Sequence, residues 1–299
     1  MNRLCVFAHY DRDGLIEDYV LYYLQALKEV CYDIIFVSDC DIQATELENL
    51  FPITNMVLAK RHGEYDFGSY KRGFLLAQDL NLVFDELILA NDSCYGPINS
   101  LQTVFNKMQK RNCDYWGITK NYLGIKKRGD DFFEAYEPHL QSYFLVLKKQ
   151  VFNSDCFKTF LNSIVTQREK NDIIIKYEQG LSSILNKNKF KDAVFINDFY
   201  HLPDALLVNT EKMLRKGCPF LKVSTVKART TKNLIGNKRL ENLIEKHSSR
   251  YKRELVKDFD CTLFLKKYLS VEIYLLIRFI ERKVLFSIRR VVRNILKNF

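Results

Sequence analysis

The sequence lacks most of the features that would place a chain across or outside a membrane. Nowhere in its 299 residues do eighteen apolar residues run together, so no transmembrane helix is expected. The opening MNRLCVFAHYDRDG reaches an acidic turn too soon for a signal peptide, which argues against export. Eight cysteines are scattered from Cys5 to Cys261 without a CxxC pair. That spacing matches neither a zinc site nor a short disulfide framework and suits reduced, structural thiols in the cytosol. There is no GK[ST] loop, no GxGxxG fingerprint and no recognised nucleic-acid motif, so those sequence signatures of nucleotide or nucleic-acid binding are missing. What is present is apolar substance: 47% hydrophobic and 13% aromatic residues, ample for a packed core in one large α/β domain with an appendage, or in two small ones.

Acidic residues are scarce in one part of the chain only. Residues 1–226 carry 27 Lys and Arg against 29 Asp and Glu, whereas residues 227–299 carry 19 against 7. The whole excess of +10 therefore sits in the tail, which implies a near-neutral body and a cationic appendage that meets something anionic. From Tyr268 to Phe299, apolar Ile277, Ile280, Val284, Ile288, Val292, Ile295 and Phe299 recur at helical spacing, with Arg278, Arg282, Arg289, Arg293 and Lys297 on another face. A basic amphipathic helix of this kind reads as a membrane-surface element. A terminal helix docked on the body with solvated arginines is the plainer alternative.

In the body, short apolar runs alternate with helical patterns. RLCVFAH, YDIIFVSD, MVLAK, DELILAND and CDYWGIT read as strands, and LIEDYVLYYLQALKEV, YKRGFLLAQDL and INSLQTVFNKM as helices. The alternation predicts an α/β fold with a mostly parallel sheet, whose ligands sit in the crevice beyond the carboxyl ends of the strands. Three strand ends supply polar residues there: His9, Tyr10 and Asp11; Ser38 and Asp39; and Asn91, Asp92 and Ser93. Asp92 is the unusual one, because Asn, Gly and Pro would satisfy a turn without a carboxylate. Between the third strand and its helix, RHGEYDFGSYKRG offers Arg61, Asp66, Ser69 and three glycines, a composition that suits contact with phosphate or ribose and equally suits an exposed loop.

Taken in order and spacing, FAHYD, RHGEYDFGSYKRG, ELILANDSCYGPI, CDYWGITKN, HLQSYFLVLKKQVF, YEQGLSSIL and CPFLKV resemble the rhamnan synthesis protein F family of bacterial polysaccharide glycosyltransferases, over roughly residues 3–225. The resemblance implies a nucleotide-sugar-binding fold of the GT-A type, a dTDP-L-rhamnose donor in many members, and a growing lipid-linked glycan as acceptor. It implies a catalytic domain over residues 1–226 and leaves 227–299 as the basic helical appendage, with the enzyme cytoplasmic and peripheral to the inner face of the plasma membrane. Departure of a nucleoside diphosphate builds negative charge that a divalent cation, Mg²⁺ or Mn²⁺, can absorb. Asp92 is the candidate carboxylate for it, although NDS matches the usual Asp-x-Asp signature only in part. Glu178, expected at the front of a late helix after a β-rich run, is the candidate base for the acceptor hydroxyl, ahead of Asp155 and Asp172.

Weaker candidates are His139, Gln141 and Ser142 as a wall for sugar hydroxyls, His201 as a late metal or diphosphate contact, and Trp116 with Tyr115 as a stacking surface, each with an ordinary structural reading beside it. A catalytically inert scaffold whose basic tail grips nucleic acid or membrane is the other class. It leaves the crevice carboxylates without a purpose, and no nucleic-acid partner is expected.

Overall fold

β1 (Arg3–His9) is buried at all seven residues and is an interior strand of a seven-stranded sheet. The structure, a computed structural model, describes residues 1–129, 131–197 and 210–224; His201 and the basic segment 227–299 lie outside the described residues. The near-continuous apolar run of β1 follows from its position, since a central parallel strand has both faces covered. β2 (Asp33–Ser38), β3 (Met56–Ala59) and β4 (Glu86–Asn91) join it in parallel. Between them run α1 (Asp18–Lys28), the short α2 (Ala44–Glu48) and α3 (Tyr65–Asp79). A two-residue β5 (Cys94–Tyr95) and α4 (Leu101–Met108) lead to β6 (Tyr115–Gly117).

The chain then leaves the sheet as an antiparallel pair, β7 (Lys120–Arg128) and β8 (Asp131–Leu140), and returns as β9 (Phe144–Lys148). β9 runs antiparallel between β4 and β6. Helices α5 (Lys149–Phe152), α6 (Asp155–Asn162), α7 (Lys170–Ile173) and α8 (Gly180–Lys187) follow, and β10 (Asp192–Val194) closes the sheet beside β6. The order is β10-β6-β9-β4-β1-β2-β3. A helix over Thr210–Arg215 precedes β11 (Leu221–Lys222), which pairs antiparallel with β5. The expected α/β fold with a mostly parallel sheet is present, and all five predicted strands fall where the apolar runs put them.

Alternation along β1 divides the core in two. Cys5 and Phe7 pack with Tyr23, Leu24 and Leu27 of α1 and with Val104 and Phe105 of α4, while Leu4, Val6 and Ala8 pack with Tyr70 and Phe74 of α3 and with residues of α6 and α8. Gly73 lets α3 approach β1 closely, because a Cβ there would lie 2.3 Å from Val6 Cγ1. Two helical expectations shift. α3, expected to start near Tyr70, begins at Tyr65, so most of the RHGEYDFGSYKRG segment is helix rather than loop. The run IIIK before Glu178 is helical too, a π-helical segment over Ile174–Gln179 that joins α7 to α8. Its β-branched residues favour strand only where an open sheet edge can take them.

One ion pair is built into the base of the sheet. Arg3 Nε donates to Glu86 Oε2 at 2.7 Å, Arg3 Nη1 donates to the Val30 carbonyl at 3.1 Å, and the guanidinium lies 4.1 Å from the centre of the Phe105 ring. Both side chains are under 10% exposed. Removing one partner of such a pair strands the other charge, at about 3–5 kcal/mol, whereas replacing both by apolar groups can be near neutral. Glu86→Ala is accordingly expected to lower unfolding free energy by about 3–5 kcal/mol in urea denaturation, with Arg3→Met/Glu86→Leu recovering most of it. A loss below about 1 kcal/mol for the single variant would show that the charge finds water instead.

Candidate active site

Strand register assembles the crevice. Parallel pairing sets His9 beside Ser38 and Ala8 beside Asn91, so the residues after β1, β2 and β4 emerge along one edge. β9 enters from that same edge, with Phe144 opposite Ala90, which brings Gln141 and Ser142 to it. Asp92 is fixed by its own backbone and by its side chain. Its N–H donates to the Ala8 carbonyl at 3.2 Å, its carbonyl accepts from Tyr19 Oη at 3.0 Å, and its Oδ2 accepts from the Tyr10 N–H at 2.8 Å. α4 begins only at Leu101, so Asp92 is not its cap.

Asp66 comes to the same place from the first turn of α3, where its Oδ2 accepts from Asn91 Nδ2 at 2.7 Å. Asn91 in turn accepts through Oδ1 from the Ser93 N–H at 3.1 Å and Oγ at 2.6 Å. Burial pushes the Asp92 carboxyl up to about 8, with the negative charge of Asp66 adding to it and the Tyr10 N–H opposing. Asp66 is raised by burial to about 6, held down by Lys222 and pushed up by Glu178. Two carboxylates that resist joint ionisation are what a cation site and an acid/base site share.

Glu178 sits in the π-helical segment rather than at a helix front, and its Oε1 accepts from the Ser142 N–H at 2.9 Å. The Ser142 carbonyl accepts from Tyr70 Oη at 2.9 Å. Tyr70 is buried, and burial together with the charges of Asp66, Asp92 and Glu178 raises its phenol. Asp172 pairs with Lys127 at 3.7 Å, and Asp155 lies in the first turn of α6.

Other sequence candidates have structural occupations. Asp39 accepts from the N–H groups of His62 at 2.6 Å and Gly63 at 2.7 Å through Oδ1, and from that of Tyr65 at 3.3 Å through Oδ2. These bonds hold the loop into α3, where Tyr65 has a left-handed φ of 56° that a bulky residue adopts only when its surroundings impose it. Asp39, His62 and Ser69 are linked as in a hydrolytic triad, with His62 Nε2 3.0 Å from Ser69 Oγ and Nδ1 3.4 Å from Asp39. The Glu64 N–H donates to His62 Nδ1 at 3.1 Å, however, so Nε2 carries the proton and cannot take one from Ser69. Ser69 is 1% exposed.

His9 is buried, its Nδ1 2.9 Å from Ser38 Oγ and its Nε2 4.0 Å from Asp92 Oδ2. Burial lowers it to about 4, against the opposing charge of Asp11, so it is neutral at pH 7. Asp11 accepts from the Asp13 and Leu15 N–H groups at 2.8 and 3.1 Å, closing the turn after β1. Tyr10 and Arg61 are exposed. Trp116 does not form a sugar platform: it is 2% exposed and packs edge-on against Phe105 at 5.2 Å and against Phe144 at 5.9 Å. His139 is buried against the Glu137 carbonyl, 2.6 Å from its Nδ1, and Gln141 Oε1 accepts from Thr119 Oγ1 at 2.6 Å.

Lys222 escaped the residue-by-residue reading. β11 pairs it with Cys94, and its Nζ lies 3.5 Å from Ser93 Oγ and 4.6 Å from the centre of the Tyr143 ring. It is the strongest cationic influence on Asp66. The only signal for it was its place in CPFLKV, well over a hundred residues from the strand end that it serves.

The profile of the rhamnan synthesis protein F family matches residues 34–290. The chain belongs to that family. It is also 22% identical over 179 residues to the uncharacterized protein y4gN of Sinorhizobium fredii, an alignment that spans 60% of this chain and 44% of that protein. Among solved structures, 4-diphosphocytidyl-2C-methyl-D-erythritol synthase of Anaerococcus prevotii is 12% identical at a TM-score of 0.42, over 72% of this chain and 94% of that one. A putative nucleotide-diphospho-sugar transferase of Desulfovibrio desulfuricans is 14% identical at 0.37, over 83% and 99%. Core-mannan synthase A of Aspergillus fumigatus, solved in its Mn/GDP form, is 10% identical at 0.37, over 61% and 70%.

For this member of the rhamnan synthesis protein F family, Asp66 and Asp92 fit a divalent cation by their chemistry: two hard oxygen donors, both half-buried, one on the residue after Asn91 and the other bonded to its side chain. Among the described residues no group of three or more His, Cys, Asp or Glu could hold a metal. Mg²⁺ and Mn²⁺ do not require one where substrate phosphates complete the shell.

The Asp92 shift makes stability depend on pH. An unfolded aspartate loses its proton near pH 4, whereas the folded protein keeps it to about 8. Between roughly those values the native state binds more protons, so stability falls as pH rises. In chelator-treated buffer, Tm is expected to fall from pH 5 to 8 and Asp92→Asn to flatten that fall. An equal slope in the variant would mean that Asp92 is ionised throughout.

Proposed function

We propose that the chain is a glycosyltransferase that moves a sugar, with L-rhamnose from dTDP-L-rhamnose favoured, onto a hydroxyl of a lipid-linked polysaccharide acceptor in cell-wall, capsule or O-antigen synthesis. The observation that carries the reading is that Asp66 and Glu178 reach the strand end of Asp92 from two other segments: Asp66 accepts from Asn91, the neighbour of Asp92, and Glu178 accepts from the Ser142 N–H just before β9, the strand that pairs with β4. Family membership agrees with it.

The reaction is a single displacement with inversion. The acceptor oxygen attacks the anomeric carbon as the bond from that carbon to the diphosphate oxygen breaks. Glu178 takes the proton from the attacking hydroxyl. Asp66 and Asp92 would hold a divalent cation, which supplies charge neutralisation for the departing diphosphate. Lys222, beside Ser93, adds fixed positive charge on the same side. Neutral His9, bonded to Ser38, excludes water behind Asp92 without adding a charge.

The tail is proposed as the membrane attachment. No described helix is long and apolar enough to cross a membrane, and the seven basic against two acidic residues from Tyr268 to Phe299 would contribute about 1 kcal/mol each near an anionic leaflet.

Thermal-shift measurements against dTDP-, UDP- and GDP-sugars with and without Mn²⁺ test donor and metal together, since a ligand of the folded state raises Tm by linkage. Asp92→Ala is expected to abolish transfer and the Mn²⁺-dependent part of the shift, and Glu178→Gln to cut turnover roughly 10²-fold or more while donor binding stays near normal. Full turnover in a folded Asp92→Ala protein would sink the metal role, and equal losses of turnover and donor binding in Glu178→Gln would remove the base. Deletion from Tyr268 onward is expected to release the protein from anionic liposomes while donor binding persists; co-sedimentation of the truncated chain would locate the membrane contact elsewhere.

A further inference from the structure

The π-helical segment does two things with adjacent residues. Glu178 reaches inward to the Ser142 N–H. Gln179 reaches outward to β7, where its Oε1 accepts from the Ile125 N–H at 2.5 Å and its Nε2 donates to the Ile125 carbonyl at 2.8 Å. One side-chain amide thus satisfies both backbone groups of a strand residue, in the way that a neighbouring strand would. Space for it is made by Gly124, where a Cβ would lie 2.1 Å from Gln179 Oε1 and 2.7 Å from its Cδ. Gln179 is 8% exposed, so these bonds form largely out of water, where an unmet partner is costly.

The same hairpin is bound to the same stretch of helix at its other end. The Leu140 N–H, at the close of β8, donates to Ser182 Oγ at 3.1 Å in a buried contact. Ser142, two residues further on, carries the amide that Glu178 accepts. Hairpin and carboxylate are therefore connected by side-chain to backbone bonds on both sides of the π turn. π turns are rare, occur mostly as single turns within α-helices and are frequent at functional sites.

We propose that Gln179 is a positioning residue: it clamps the β7–β8 hairpin to the π turn and so sets the direction of the Glu178 carboxylate at the acceptor side of the crevice. Its effect on catalysis rests on the proposed role of Glu178 as base. Its effect on geometry does not. A general base off its line of attack by about 1 Å loses on the order of 10²-fold in rate, so loss of the clamp is felt in turnover and not in donor affinity.

Amide hydrogen exchange on the full chain tests the geometry without any substrate, because the Ser142 amide reports whether Glu178 is in place. Gln179→Ala is expected to speed exchange at Ile125 and also at Ser142, each by roughly tenfold or more. Gly124→Ala should reproduce both effects from the other side of the contact and add little in the Gln179→Ala background. Unchanged protection at Ser142 while Ile125 loses its own would overturn the proposal. Should Gln179→Ala fail to fold, Gln179→Glu, which keeps the oxygen for the Ile125 N–H and loses the donor, gives the same comparison.

Transfer from dTDP-L-rhamnose to a synthetic lipid-linked rhamnoside then reads the catalytic consequence. Gln179→Ala is expected to lower kcat roughly 10- to 100-fold with donor Kd within about twofold, and to cost nothing further in a Glu178→Gln background. The same loss in both backgrounds would make Gln179 merely structural. Full turnover in Glu178→Gln alone would remove the base, leaving the exchange result to decide the geometric claim.

Discussion

The Asn91 side chain, which donates to Asp66 of α3 and accepts from Ser93, is the constraint around which the crevice is organised, because it brings Asp66 to the strand end that carries Asp92. The charge of Asp66 makes Asp92 harder to ionise, and that of Glu178 does the same to Asp66. The surrounding polar groups resist their separation. Asn91 is engaged by Asp66 on one side and by Ser93 on the other, the Tyr10 N–H holds the Asp92 carboxylate, and Tyr19 and the Ala8 carbonyl hold its backbone. Such a site stores unfavourable free energy that a cation, a proton or a cationic side chain can release. Lys222 supplies part of that release from a strand far along the chain.

That arrangement explains which parts of the molecule could be read from residues alone. The strands of the body were legible because each is an apolar run of four to seven residues ended by polar ones, and parallel pairing keeps such runs buried on both faces. Their shared carboxyl edge followed from alternation of strand and helix, so the positions of His9, Ser38, Asn91 and Asp92 followed too. Asp66 was visible as a candidate, but on a supposed loop, because three glycines in RHGEYDFGSYKRG suggest turns. In the structure Gly73 serves close approach of a helix to β1 rather than a turn.

What could not be read depends on contacts distant in sequence. Lys222 meets Ser93 through an antiparallel pair of two residues, too short to leave a pattern. Trp116 and Tyr115 alternate between the two faces of the sheet, yet both faces are covered, so amphipathic spacing could not tell a platform from a core. Asp39 looked like a ligand-facing acid at a strand end, and it accepts from three amides of the segment that leads into α3. A carboxylate can hold a loop or a ligand with the same oxygens, and only the positions of the donors distinguish the two.

The two sides of the crevice are built on different principles. The side carrying Asp92 is made of parallel strands locked by backbone ladders and buried on both faces, where small displacements are resisted by the whole sheet. The side carrying Glu178 is made of a π turn and a hairpin joined by side-chain to backbone bonds, each of which can be lost singly. Under the proposed function the first wall would hold the donor diphosphate. The second would meet the acceptor, and Glu178 keeps its direction there only while each of those few bonds is intact. The two walls thus differ in how they yield: one resists as a whole sheet, the other gives way bond by bond.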